Sequence, residues 1–164
     1  MLPPWAQVSE QRRAHIERVA GLMESWANAM HVPATERARW VKAAYLHDAL
    51  RDAPLGDAFA HGPAAAERAA REGEADQGIL DAVRYHTVGY AGWDDVGRML
   101  YLADFLEPGR KFAADERRAL ALRVPHERDV VLIEVVRWRI EWVLRSGWPL
   151  VAETVGLWNA LALR

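Results

Sequence analysis

Apolar residues recur along this chain with the period of a helix rather than a strand. Ile16, Val19, Leu22, Met23 and Trp26 form one stripe of a segment from Gln11 to Met30, with Ser9 as the expected N-cap and His31-Val32-Pro33 as the stop. A second helix, capped by Thr35, carries Trp40, Ala43, His47 and Leu50 until Asp52, Pro54 and Gly56 break the pattern. Pro63 to Arg71 is a strongly helix-forming mixture of Ala, Glu and Arg, and Pro63 suits a first helical position. Ile79, Leu80 and Val83 mark a helix over Gln77 to His86, followed by a Gly-containing turn from Thr87 to Gly92. Asp94 or Asp95 caps the next helix, which runs to Glu107 and stops at Pro108-Gly109. A short helix near Asp115 to Leu122 and then Pro125 precede a long one over His126 to Arg145. Val131, Val135, Trp138, Trp142 and Leu144 are its expected buried side, and Gly147 and Pro149 separate it from a final helix. No stretch alternates convincingly, so the pattern predicts an all-α fold of seven or eight helices packed as an irregular bundle.

Composition narrows the chemistry. A chain of 164 residues, 51% hydrophobic and 27% charged, is sized for one domain, with a motif-bearing region over about 12–112 and C-terminal packing helices over about 126–163. Cysteine is absent, which excludes thiolate zinc sites, cysteine nucleophiles and disulfides, and leaves His, Asp and Glu as the only metal ligands. Twenty-one Lys and Arg against 23 Asp and Glu give a net charge of −2, so no basic stripe points to a nucleic-acid partner. Met1 to Ser9 does not read as a signal peptide, and the run Val130 to Ile133, broken by Glu134, is far too short to cross a membrane. A cytoplasmic protein without a membrane partner is the expectation. The Trp-rich C-terminal helices leave two uses open, a homodimer surface or internal packing.

Several polar residues fall on apolar stripes. His15 shares the face of Val19, Leu22 and Trp26; His47, followed by Asp48, lies on the stripe of its own helix; His86 extends Ile79 and Val83. Any one of these alone reads more readily as a core histidine bonded to a carbonyl than as a ligand. Asp104 lies four residues after Leu100 in an otherwise apolar helix, and an unpaired carboxylate inside a bundle costs several kcal/mol unless a cation or an Arg answers it. His61-Gly62 sits at a loop-to-helix junction, where a His is either exposed or turned inward. Jointly, four His and two Asp from five segments match what a buried metal site needs, N and O ligands converging from different helices. Residues 47 and 48 point about 100° apart on a helix, so they share an ion only if it lies between their directions, leaving Asp48 free to bridge to a second.

The order His15, His47-Asp48, His61, His86, Asp104 resembles the HD-domain metal-dependent phosphohydrolases. More narrowly, Tyr85-His86-Thr87 with Gly89, and Tyr101-Leu102-Ala103-Asp104-Phe105-Leu106-Glu107-Pro108-Gly109-Arg110, resemble the YqeK family of symmetrical diadenosine tetraphosphate hydrolases. His47-Asp48-Ala49-Leu50-Arg51-Asp52 and His61-Gly62-Pro63 are similar too, as are Thr154 and Asn159 in the last helix, so the likeness spans about Arg12 to Asn159. The resemblance implies a single HD-domain bundle with two divalent or mixed-valence metal ions, iron most often, with manganese, cobalt or magnesium as alternatives. His15, His47, Asp48 and Asp104 would hold one ion, His61 and His86 the second, with Asp48 bridging. The implied reaction cleaves a dinucleoside tetraphosphate to two nucleoside diphosphates by in-line attack of a hydroxide shared by the metals. Asp48, Arg51 and Asp52 become the catalytic candidates, Asp52 either orienting Arg51 or acting on a proton. Arg51, Arg84, Thr87, Arg110 and Lys111 are the substrate-binding candidates.

Three departures bear on substrate choice. Arg51 stands where the family commonly has Lys, Val88 and Tyr90 stand where Thr and Arg are usual, and the connection from Asp48 to His61 is short. They keep open a different nucleotide substrate, such as a nucleoside monophosphate or a guanosine polyphosphate, and a non-catalytic nucleotide-binding regulatory module. His31 and His126 fall outside the pattern and are expected at the surface, and Tyr90 or Trp93 could stack on a base. The slightly negative total charge does not oppose a polyphosphate, because two bound cations would add at least four local positive charges.

Overall fold

Three helix starts follow side chains able to satisfy orphan amides. Ser9 accepts from the Arg12 N–H to open α1 (Glu10–Ala29), Asp76 from Ile79 to open α4 (Gln77–Tyr85), and Asp94 from Val96 to open α5 (Asp95–Leu106). In the computed structural model, which describes residues 1–162, the chain forms seven helices and no strand among those residues. The others are α2 (Ala34–His47), α3 (His61–Arg71), α6 (Ala114–Arg145) and α7 (Ala152–Ala162). Leu163, counted in the expected packing region, lies outside the described residues. No helix among them is long and apolar enough to cross a membrane.

Two starts differ from expectation. Thr35 lies inside α2 instead of capping it, because Pro33, with φ −53° and ψ 146°, already turns the chain and occupies the cap position. α3 begins at His61, two residues before Pro63, since a proline without an N–H loses no bond anywhere in the first turn. The short and long helices expected around Pro125 form one span, kinked where Glu127 leaves helical geometry (φ −138°, ψ 35°). Pro125 cannot donate to the Ala121 carbonyl one turn back, and that carbonyl instead accepts the Trp26 indole N–H at 3.0 Å, fastening α6 to α1.

α5 is the hub. Ten of its residues are buried, and α1, α2, α4 and α6 all pack on it, which explains why its sequence after Arg98 is apolar on every side except at Asp104. Helix α6, by contrast, has 32 residues and spans about 48 Å, whereas the 12-residue α5 spans about 18 Å. The overhang corrects one expectation: Val131 and Val135 are buried, but Trp142 and Leu144 are more than half exposed, and Trp138 is only partly covered. α7 packs on α6 and closes over the turn after α4: Thr154 Oγ1 donates to the Val88 carbonyl at 2.6 Å, and Gly89, at φ +89°, approaches Leu157 so closely that a Cβ would lie 2.7 Å from its Cδ2.

A single guanidinium ties three helices near their starts. Arg39 of α2 makes a two-pronged contact with the α4 cap Asp76 (2.6 and 2.8 Å), and also reaches the α5 cap Asp94 (2.8 Å) and Glu36 (2.7 Å). The hydrogen bonds from Arg39 hold the Asp76 carboxyl down at about 2. Fixing these starts fixes where α2, α4 and α5 deliver His47, His86 and Asp104, each roughly 12–15 Å further on.

Candidate metal centre

His47 is the last residue of α2 and Asp48 follows it; His61 is the first residue of α3; His86 follows the last turn of α4; His15 and Asp104 project from within α1 and α5. All six are buried, and all meet. The Asp48 carboxylate lies between two imidazole pairs. Oδ2 faces His15 Nε2 (3.6 Å) and His47 Nε2 (3.5 Å), while Oδ1 faces His61 Nε2 (3.2 Å) and His86 Nε2 (3.4 Å). Within the pairs, the Nε2 atoms are 3.4 Å (His15 and His47) and 3.1 Å (His61 and His86) apart. Asp104 Oδ1 completes the first group, 3.1 Å from His15 Nε2.

The arrangement requires α3 and the end of α4 to come very close, and Gly62 permits it: a Cβ there would sit 2.8 and 2.9 Å from the Arg84 and Val83 carbonyl oxygens and 3.3 Å from His86 Cε1. The helix ends supply electrostatics as well. α2 and α4 both terminate at the cluster, and helix C-termini favour positive charge.

Each imidazole is oriented by the bond its other nitrogen makes. Nδ1 of His47, His61 and His86 donates to the carbonyls of Ala44 (2.7 Å), Ala58 (2.9 Å) and Val83 (2.7 Å). His15 Nδ1 faces Glu107 Oε1 at 3.1 Å. A carbonyl can only accept, so the neutral tautomer with the proton on Nδ1 leaves Nε2 as a bare lone pair aimed inward. Burial pushes His47 down to about 4, with Asp48 opposing and His86 adding to the fall, so it is neutral near pH 7. Its lone pair then faces Asp48 Oδ2, an acceptor against an acceptor. Burial would raise Asp48, but His47, His61 and His86 outweigh it and hold the carboxyl well below its ordinary value; His15 and Arg110 do the same for Asp104. For His15, burial is outweighed by its bonds to Asp104 and Glu107, which raise it. Imidazole nitrogens and carboxylate oxygens turned inward are the donor set that divalent cations take, and the groups His15, His47, Asp104 and His47, Asp48, His86 are each compact enough to hold one.

Residues 12–131 match the sequence model of the HD domain. The chain belongs to the HD domain family. Two proteins named symmetrical bis(5'-nucleosyl)-tetraphosphatase are similar to this HD domain. That of Bacillus subtilis (strain 168) is 35% identical over 105 residues, 62% of this chain and 54% of its own. That of Halalkalibacterium halodurans is 29% identical over 111 residues, 66% of this chain and 57% of its own. The chain thus matches little more than half the length of these relatives. A crystal structure from Clostridium acetobutylicum, described as a predicted HD superfamily hydrolase involved in NAD metabolism, superposes with a TM-score of 0.84 at 23% identity, covering 96% of this chain and 92% of that one; it shares the fold.

Around the centre of this HD domain, the other candidates have varied fates. Thr87 Oγ1 lies 3.2 Å from His86 Nε2 and 3.5 Å from His61 Nε2. Arg110 bonds Asp104 Oδ1 at 2.7 Å, and Lys111 lines the same cavity, of about 460 Å³, as Arg110 and His15. Arg51 turns to the Ala58 carbonyl (3.3 Å), the one that orients His61. Asp52 lines that cavity too, yet it does not orient Arg51: its Oδ2 accepts from the Ser9 N–H at 2.7 Å, which holds its carboxyl low. Arg84 is turned to Glu67 instead, at 3.7 Å. Trp93 is buried with its indole N–H on the Asp81 carbonyl, so it offers no face to a base, and Tyr90 stacks on Tyr85 at 4.4 Å. His31 and His126 are exposed.

Sequence reading missed three residues. Arg12 donates to Asp48 Oδ2 at 2.8 Å, and Arg18 to Glu107 Oε2 at 2.6 Å; both lie three residues from His15, hence on its face of α1. Glu107, buried, orients His15 and also accepts from the Gly109 N–H at 2.6 Å. Burial would raise Glu107, but His15, Arg18 and that amide draw it down to about 2. Its place in the Glu-Pro-Gly-Arg block was the available signal.

Proposed function

We propose that the protein is a metal-dependent phosphohydrolase that cleaves dinucleoside tetraphosphates symmetrically, diadenosine tetraphosphate giving two ADP. The observation that carries this reading is the Asp48 carboxylate shared between two imidazole pairs, one oxygen to each. His15, His47, Asp104 and Asp48 Oδ2 would hold one divalent cation, and His61, His86 and Asp48 Oδ1 a second, with iron first in preference and manganese, cobalt or magnesium as substitutes. Two such ions supply activation of a water and neutralisation of phosphate charge. The names of the two relatives support the substrate, over the half of their length that matches.

The chain's own residues do the rest. Arg12 and Arg110, each bonded to a carboxylate of the cluster, present guanidinium groups where a polyphosphate approaches, and Lys111 extends that positive edge. Thr87 places a hydroxyl against the His61 and His86 pair, able to bond a phosphate oxygen. Arg51 is a positioning residue, bracing the carbonyl on which His61 depends. Asp52, on the open side with its carboxyl held low, is placed to accept the proton that the attacking water gives up. Product analysis after anaerobic loading with iron or manganese tests this. Two ADP from diadenosine tetraphosphate is the expected result; AMP plus ATP, no turnover, or turnover only of nucleoside monophosphates or guanosine polyphosphates would overturn it.

A further inference from the structure

Asp104 also forms part of the wall of a second cavity, of about 290 Å³, whose lining includes Arg110, Arg117, Arg139, Phe112, Trp138 and Trp142. Three guanidinium groups in so small a space repel one another, and only one is answered. Arg110 pairs with Asp104 and Glu107. Arg117 donates to the carbonyls of Phe105 and Phe112, and Arg139 to that of Thr87; among the described residues neither has a carboxylate within ion-pair distance. Burial, together with Arg110 and Arg139, pushes Arg117 down to about 10. Three guanidinium groups, partly buried against the single carboxylate of Asp104 in the same wall, leave an excess of positive charge, the preparation expected for an anion.

Aromatic rings are interleaved with these groups. Arg117 lies over Phe105 (3.9 Å to the centroid) and Trp138 (5.2 Å), and Phe105 meets Trp138 edge to face. Trp142 is 53% exposed, on a stretch of α6 that overhangs the hub, and Trp148 holds it edge-on at 4.9 Å. Its apolar surface is thus oriented but uncovered. Ligand cavities run from about 300 Å³ upward, so this one suits one half of a dinucleoside polyphosphate rather than the whole. Arg110 also lines the cavity of about 460 Å³ with Arg12, Arg18 and Lys111, which would leave room for the remainder of the chain of phosphates.

We propose that the cavity beside Asp104 binds one nucleoside phosphate half of the substrate, its phosphates against Arg110, Arg117 and Arg139 and its base stacked on Trp142. The assignment rests on the proposed reaction only in taking the cluster at Asp104 as the reacting centre.

The test is calorimetric titration of the metal-loaded full chain, as wild type, Trp142→Ala and Trp142→Phe, with ADP and with inorganic tripolyphosphate as a probe lacking a base. Trp142→Ala is expected to weaken ADP roughly tenfold, the scale of one lost stacking contact. Trp142→Phe should restore most of it, and tripolyphosphate should bind all three alike. Unchanged ADP affinity in Trp142→Ala, or an equal loss for tripolyphosphate, overturns the proposal. So does a dimer, seen by sedimentation, that dissociates in Trp142→Ala while ADP affinity holds, because the face then belongs to a second copy. Wild type that cleaves symmetrically with a KM unmoved by Trp142→Ala refutes the cavity and leaves the reaction standing. Wild type that fails to cleave, yet binds ADP in a Trp142-dependent way, refutes the reaction and supports the cavity.

Discussion

Two charged clusters both draw on α2, α4 and α5, the second adding α1 and α3, and they differ in how their polar atoms are satisfied. Around Arg39, the caps Asp76 and Asp94 and the neighbouring Glu36 all converge on one guanidinium; every oxygen there has a donor, and the group is partly solvated. Around Asp48, four imidazoles and two carboxylates are buried together, with Nδ1 atoms bonded outward and Nε2 atoms turned in. The first cluster is internally satisfied, as a structural clamp should be. The second sets imidazole nitrogen against imidazole nitrogen, at 3.4 and 3.1 Å around one shared carboxylate, which folding alone does not require. Like groups gathered in that way, rather than charge or burial by itself, mark a site.

The sharpest way to break the comparison is at Asp48. Asp48→Ala should lower bound metal below one equivalent and take hydrolysis to the assay floor while the circular dichroism stays helical; metal retained at the wild-type level would refute the bridging role. Gly62→Ala comes next. Its Cβ would meet two backbone carbonyls, so a destabilisation of about 1–3 kcal/mol is expected, together with selective loss of the ion at His61 and His86. Loss of both ions equally in metal analysis would contradict that selectivity.

Smaller effects sharpen the contrast. Glu107→Gln leaves the six candidate ligands in place but weakens the orientation of His15, and metal affinity at the first position should fall roughly 10- to 100-fold by competition with a chelator. Arg39→Ala should do the opposite: it costs about 1–3 kcal/mol in thermal or urea unfolding and leaves metal content at the wild-type level. Its pH dependence has a definite sign. Asp76 is held at about 2, below its unfolded value of 3.8, so its contribution is complete above that value and is lost as pH falls through 2. The gap in Tm between wild type and Arg39→Ala should therefore be widest at neutral pH and narrow between about pH 4 and 2. A gap that is constant over that range would mean the clamp acts through packing alone.

Much of this was legible in the chain. Helical periodicity located α1, α2, α4 and α5 because each buries a stripe, composition located α3, and capping chemistry named Ser9, and Asp94 or Asp95, because an orphan amide needs an acceptor nearby in sequence. Thr35 misled for the same reason: it has the right chemistry, but Pro33 had already set the backbone. Trp142 misled because periodicity gives the face of a helix and not whether another element reaches it. Arg84 and Asp52 lie beside ligands in sequence, yet their contacts are with Glu67 and Ser9, since direction from a helix end is settled by packing.

By itself, then, the sequence determined the residue types available for metal chemistry. Lacking cysteine, it offered only His, Asp and Glu, and it put six of them on apolar faces or at a helix junction, where burial and a shared partner follow. Tertiary structure alone decided how they divide. The sharing of Asp48 between two pairs depends on α3 approaching α4 at Gly62, on helix starts gathered by Arg39, and on carbonyls and Glu107 turning each ring inward. The approach at Gly62, the Arg39 clamp and the Glu107 bond join residues far apart in the chain, and no local spacing encodes them; the carbonyl bonds, each three residues back, are local.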